Sequence, residues 1–112
     1  MDGERFEHEA EGLLQAAGLV LVARNWLCRF GEFDLIMKDG ATLVFVEVRK
    51  RGSEHFGGAI ASIGAQKQAK LRRAIELYLS TLRKTPACRV DAVLFDGKTE
   101  SSPRWEKNIF GG

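Results

Sequence analysis

Apolar residues recur three and four apart between residues 4 and 17, at Phe6, Ala10, Leu13, Leu14 and Ala17. That spacing predicts an amphipathic helix, and Gly18 is placed to stop it. LVLVARNWLCRF then reads as a first strand, from Leu19 to about Arg29. Glu32–Met37 and Leu43–Lys50 read as two more strands, and Asp39-Gly40 between them has the favoured chemistry of a two-residue hairpin loop. Residues 52–61, with Gly57-Gly58, read as a loop. A second helix begins between Ser62 and Ala65 and runs to about Arg83, with Leu71, Ile75, Tyr78, Leu79 and Leu82 as its apolar stripe. Pro86 ends that element. Cys88–Phe95 is apolar at nearly every position, the mark of a strand buried on both faces. GKTESSP reads as a turn and RWEKNIF as a final edge strand. The order α-β-β-β-α-β-β predicts a single α/β domain over residues 1–112, a sandwich around a mixed sheet.

One strand breaks its own pattern. In VFVEVRKR, Val44 to Arg51, Glu47 sits among Val44, Phe45, Val46 and Val48. Burying an unpaired carboxylate costs several kcal/mol, so Glu47 calls for a cation, a metal or water. Counting from an Asp39-Gly40 loop puts Lys38 opposite Ala41, Asp34 opposite Phe45 and Glu32 opposite Glu47. Alternation then places Glu32, Asp34, Ile36, Leu43, Phe45, Glu47 and Arg49 on one face. Phe33, Leu35, Val44, Val46 and Val48 fall on the other, as core. Asp34 and Glu47 become diagonal neighbours whose side chains converge. Two readings follow. Arg49, Lys50 or Arg51 neutralises the acids in an ordinary ion-pair network, or a divalent ion bridges them. Carboxylate oxygens suit Mg²⁺ or Mn²⁺, which keep waters and accept substrate phosphates. A neighbouring cation that orients water or stabilises developing charge completes what phosphodiester hydrolysis requires.

Composition changes this picture little. The 112 residues carry a net charge of +2, so the whole chain is not a polycation, but its charges are uneven. Residues 2–11 hold five acids, whereas Arg49–Arg51 and Lys67–Arg73 are basic clusters. Lys67, Lys70, Arg72 and Arg73 form a helix face that is either simply solvated or a phosphate contact. No apolar run approaches the roughly 20 residues of a membrane span, and MDGERFEHEAEG lacks the features of a signal peptide. A cytoplasmic location is the expectation. Cys28 and Cys88 have no CxxC spacing and read as buried structural thiols. Trp26, Trp105 and Tyr78 read as packing residues, and His8 and His55 lack partners at metal-ligand spacing. There is no P-loop, nucleophile elbow, Rossmann glycine pattern or RNP aromatic motif.

EHEAEGLL, AAG, ARNW, GEFDLIMKDGATLVFVEVRKR, KQAKLRRAIELYL and CRVDAVLFD together resemble the YraN family of small bacterial proteins, over about Glu7 to Asp96. That family is assigned by resemblance to the restriction-endonuclease-like, PD-(D/E)XK class, which includes Holliday-junction resolvases. The resemblance implies an αβββαβ sandwich around a central mixed sheet. It implies metal-binding roles for Asp34 and Glu47, with Glu7 from the first helix as a further acid and Glu9 or Glu11 as substitutes. The lysine of the E-x-K element falls on Arg49. Lys67 matches a basic position early in the second helix, beside Gln66, and Asp91 matches a recurrent aspartate. Two positions depart from the pattern: Phe6 stands where glycine is usual, and Arg49 where lysine is usual. Arginine stays protonated and offers a planar fork, so Arg49 holds a phosphate or pairs with Glu47 but is a poor water-activating base.

These residues imply an Mg²⁺- or Mn²⁺-dependent endonuclease acting on structured or single-stranded DNA or RNA. Asp34, Glu47 and Arg49 would be catalytic, Glu7 would assist the metal, and Lys50, Arg51, Lys67 and Lys70 would hold nucleic acid. The alternatives are a catalytically inactive nucleic-acid-binding module on the same scaffold and a protein-interaction domain. A second copy of the chain stays among the candidate partners.

Overall fold

The computed structural model describes residues 2–50, 63–95 and 103–111. Its elements follow the predicted order: α1 (Asp2–Ala16), β1 (Val20–Cys28), β2 (Gly31–Asp39), β3 (Thr42–Lys50), α2 (Ala65–Leu79), β4 (Cys88–Phe95) and β5 (Arg104–Glu106). The five strands form one sheet in the order β1-β2-β3-β4-β5. β1, β2 and β3 run antiparallel, β3 and β4 are parallel across the α2 crossover, and β5 returns antiparallel at the edge. Arg51, His55, the loop at 52–61 and most of the GKTESSP turn lie outside the described residues. Among those described, no helix is long and apolar enough to cross a membrane.

Each helix covers one face. Ala10 and Leu14 of α1 are buried with Leu35, Met37, Val44, Val46, Val93 and Phe95. Leu71 and Ala74 of α2 are buried with Phe33, Ile36, Leu43, Phe45 and Val90. α1 stops where predicted because Gly18 adopts φ +100°, a conformation that side chains resist. The Leu19 amide then donates to the Leu14 carbonyl and Gly18 to Gln15, while Leu14 and Leu19 share the α1-side core. This is the Schellman arrangement, which satisfies the last carbonyls of the helix.

The structure corrects several expectations. α2 ends at Leu79 rather than about Arg83. The Ser80 and Thr81 hydroxyls donate to the Leu77 and Tyr78 carbonyls, and the Thr81 and Leu82 amides bond three residues back, which closes the helix. β5 spans three residues, because Asn108 takes φ +54° and turns the chain away. Cys88 is exposed and Cys28 half-buried, and both are free thiols.

The hairpin register also differs. Asp39 pairs with Thr42, so the loop is Gly40-Ala41, and Ile36 rather than Asp34 lies opposite Phe45. Gly40 takes φ +61°, while Asp39 is held in the strand by the Arg89 guanidinium at 3.0 Å. Because the slip is two residues, Leu35, Ile36, Leu43, Val44, Phe45 and Val46 keep their predicted faces. The exception is Phe33, which packs with the α2-side cluster and against Phe45, ring centroids 4.9 Å apart. Opposite this point Asn25 in β1 has φ +49°, between the pairs Arg24–Leu35 and Trp26–Phe33, so the pleat is interrupted there.

Candidate active site

The interruption lies at Asp34. The β2–β3 pairing ends at Leu35–Val46, and one more step of that register would set Asp34 opposite Glu47. Instead of continuing the ladder, the Asp34 carboxylate accepts the Val48 amide at 2.7 Å. The sheet therefore ends on two acids from adjacent strands, one turned to cap the other's strand. Glu47 is 3% exposed, and Asp34 is half-buried.

Both helix layers reach this end. From α1, Glu7 comes within electrostatic reach of both Asp34 and Asn25. From α2, the Lys67 ammonium stands 3.4 Å from Glu47 Oε2. Arg49, on the same strand, brings Nη1 to 4.0 Å from that oxygen. A cavity of about 530 Å³ opens over the group on the α2 side, with Phe30, Glu32, Gln66 and Lys70 in its walls. A second cavity of about 500 Å³ on the α1 side, with Glu7, His8 and Asn25 in its walls, shares Glu32 with the first.

The electrostatics follow from burial. Desolvation pushes the Glu47 carboxyl up to about 7, and the Asp34 charge adds to it against the opposing pull of Lys67 and Arg49. Desolvation also raises Asp34, opposed by the Val48 amide, Glu7, Lys67 and Arg49. Glu7 is raised by burial first and then by the Asp34 and Glu32 charges. Three acids are thus held above the ordinary carboxylate range in one place. Among the described residues, Lys67 and Arg49 are the cations that oppose these shifts.

The fold separates the remaining candidates. Glu11 is taken by Arg24, which grips both its oxygens at 2.7 and 2.9 Å and ties α1 to β1. Glu9 pairs with Arg5 on the exposed side of α1. Of Glu7, Glu9 and Glu11, Glu7 is the one placed at Asp34. Lys70 lines the α2-side cavity. Lys50 does not, since its ammonium lies 5.7 Å from the Phe6 ring on the α1 side. Asp91 is fully buried and accepts from Arg89, the Trp105 indole and the Asn108 amide, a structural hub that pins β5 to β4. Trp26 packs edge-on to Tyr78 at 5.2 Å.

Two residues here escaped the sequence reading. Asn25 offered one signal, an asparagine inside an apolar strand, since asparagine is among the few residues that tolerate positive φ. Phe30 offered another, an aromatic in a two-residue hairpin loop.

The donor set fits a hard divalent cation: carboxylate oxygens, desolvated, repelling each other and facing open space. Among the described residues no group of three or more His, Cys, Asp or Glu side chains is placed to hold a metal ion. Mg²⁺ commonly binds through one or two carboxylates plus water and substrate oxygens, so an open pair is the form such a site takes.

Two helices around a five-stranded mixed sheet in this order form a restriction-endonuclease-like αβββαβ sandwich. The chain belongs to uncharacterised protein family UPF0102, the YraN family, whose profile matches residues 6–95. It is similar to the UPF0102 protein of Nitrosospira multiformis, 51% identical over 110 residues covering 98% of this chain and 92% of that one. Those of Neisseria meningitidis serogroup C / serotype 2a and Nitrosomonas europaea are 47% and 48% identical, over 97% and 96% of this chain and 94% and 92% of theirs.

Proposed function

We propose that the chain is a divalent-metal-dependent endonuclease acting on structured or single-stranded nucleic acid. The observation that carries this reading is Glu47, buried yet pushed up to about 7 beside a second acid, at the floor of a cavity with lysines in its wall. A structural carboxylate at such a depth is normally saturated with donors.

Asp34 and Glu47 would hold Mg²⁺ or Mn²⁺, with Glu7 close enough to bias Asp34 electrostatically. Such an ion would supply Lewis-acid stabilisation of the charge that develops on a phosphate. The chain's own residues do the rest. The Val48 amide holds the Asp34 carboxylate by its Oδ2. Lys67 neutralises Glu47 from α2, and Arg49 offers its fork to a phosphate as charge develops. Lys70 extends the same positive wall outward.

The test is cleavage of single strands, flaps and junctions of DNA and RNA by pure protein with Mg²⁺ or Mn²⁺. The expected result is metal-dependent cutting that Asp34→Ala abolishes. Cutting that survives Asp34→Ala, or no cutting of any substrate, defeats the proposal.

Arg49 supports a second reading, a nucleic-acid-binding module without turnover. A guanidinium does not deprotonate near neutral pH, so it cannot serve as a base. This reading expects salt-dependent binding that Lys67→Ala and Lys70→Ala weaken, with cutting only when Arg49→Lys is made.

A further inference from the structure

The loop joining β1 to β2 consists of Arg29 and Phe30, since Cys28 pairs directly with Gly31. Two-residue hairpin loops favour glycine, asparagine and aspartate, which relieve the backbone there. An arginine followed by a phenylalanine breaks that local rule, and such breaks concentrate at functional positions. Phe30 is only half-buried, and it lines the same cavity as Asp34 and Glu47. Two guanidiniums lie within cation–π range of its ring, Arg29 at 4.8 Å and Arg73 at 5.9 Å from the centroid.

The cavity combines acids, cations and a ring. Glu32, Asp34 and Glu47 line it together with Phe30 and Lys70, and Arg29 and Arg73 contact the Phe30 ring from outside that lining. Lys67, Lys70 and Arg73 follow one helix face at three-residue intervals, a rise of about 9 Å at 1.5 Å per residue. The cavity, about 530 Å³, falls within the roughly 300–1,000 Å³ of pockets that enclose small ligands. An aromatic side chain beside a cationic track is how proteins take single strands, with the base stacked and the backbone held by charge. A duplex keeps its base faces inside the stack, so it cannot offer one to Phe30 without unpairing.

We infer that Phe30 is a stacking platform for an unpaired base, and that Arg29, Lys70 and Arg73 hold the adjoining phosphates, making single-stranded nucleic acid the substrate class of this site. The inference rests on the nuclease reading only for which polymer enters the cavity. The ring's packing against the α2-side core is the competing role, and leucine preserves that packing while removing the stack.

The experiment is fluorescence anisotropy with a labelled oligothymidylate in Ca²⁺ and in EDTA, against a blunt duplex of equal length. The native chain should prefer the single strand. Phe30→Leu should weaken single-strand binding roughly 5- to 100-fold and leave the duplex unchanged, in line with the loss of one stacked base. Phe30→Trp should bind as the native chain does, and its added indole emission should be quenched by the oligonucleotide. Arg73→Gln should shallow the salt dependence by about one phosphate contact. Equal binding of Phe30→Leu and the native chain, equal affinity for the blunt duplex, or an unquenched Phe30→Trp overturns the inference. Tight single-strand binding through Phe30 with no cutting defeats the hydrolysis reading alone. Efficient cutting of intact duplexes, indifferent to Phe30, defeats this one alone.

Discussion

Asp91 in β4 and Glu47 in β3 lie one register step apart in neighbouring strands, Asp91 beside Val46 and Glu47 beside Ala92. Their burial is nearly the same, at 0% and 3% exposed. Asp91 is surrounded by donors: the Arg89 Nε, the Trp105 indole and the Asn108 amide, all at 2.9–3.2 Å. Glu47 has an ammonium at 3.4 Å, a guanidinium at 4.0 Å and another acid beside it. Equal burial with unequal satisfaction separates a carboxylate that holds the fold together from one that the fold strains to keep. Depth alone does not mark a functional acid. Desolvation beside a second acid does.

The largest effect expected from this contrast is on stability at Asp91. Asp91→Ala would strip Arg89, whose side chain is 19% exposed, of its buried partner and leave two N–H donors without an acceptor. The expected cost is about 3–5 kcal/mol, read from urea denaturation. A cost below about 1 kcal/mol would erase the distinction.

Glu47 should behave in the opposite way. Its folded carboxyl is pushed up to about 7 from an ordinary 4.5, so between those pH values the folded chain holds more protons than the unfolded one. Stability must then fall as pH rises from about 4.5 to about 7, by on the order of 3 kcal/mol at most. Asp34 and Glu7 are raised too and add with the same sign. In Glu47→Gln the decline should flatten, measured as urea midpoints at pH 5 and pH 8 in EDTA. Adding Mg²⁺ or Mn²⁺ at pH 8 should raise the native midpoint and leave that of Glu47→Gln nearly still. A native midpoint that climbs through this window would contradict the strained state of Glu47.

The smallest effect is at Trp105. Trp105→Phe keeps an aromatic ring against the core but removes the donor to Asp91, for a loss of about 1 kcal/mol in thermal or urea melts. It should leave divalent-ion binding at Asp34 and Glu47 untouched, since the hub and the acidic end are separate groups. A drop in metal affinity in this variant would join the two regions that the comparison keeps apart.

Much of this was legible along the chain. The elements came out in order because each carries its own period, and Gly18 and the 65–79 helix start announce themselves locally. Asp34 and Glu47 fell on one face even though the hairpin count was wrong by two residues, since a slip of two preserves the alternation. The end of α2 was misjudged because Ser80 and Thr81 close it through hydroxyl bonds that apolar spacing does not register. Phe33 was placed on the wrong face because its side depends on Asn25, on a different strand. Along the chain Asp91 only matches a recurrent aspartate, and its structural role emerges from the donors of residues 89, 105 and 108 that converge on it.

Local pattern and composition determined the element order, the two-faced sheet and the presence of an acid where a strand should be apolar, because periodicity and transfer free energy act residue by residue. Tertiary structure alone decided which acids meet. It set Glu7 rather than Glu11 at Asp34, swung Lys67 across from α2 to Glu47, and turned the Phe30 loop to the same cavity. Those outcomes depend on distances between elements far apart in the chain, and charge interactions weigh only where packing has brought the groups together and excluded water.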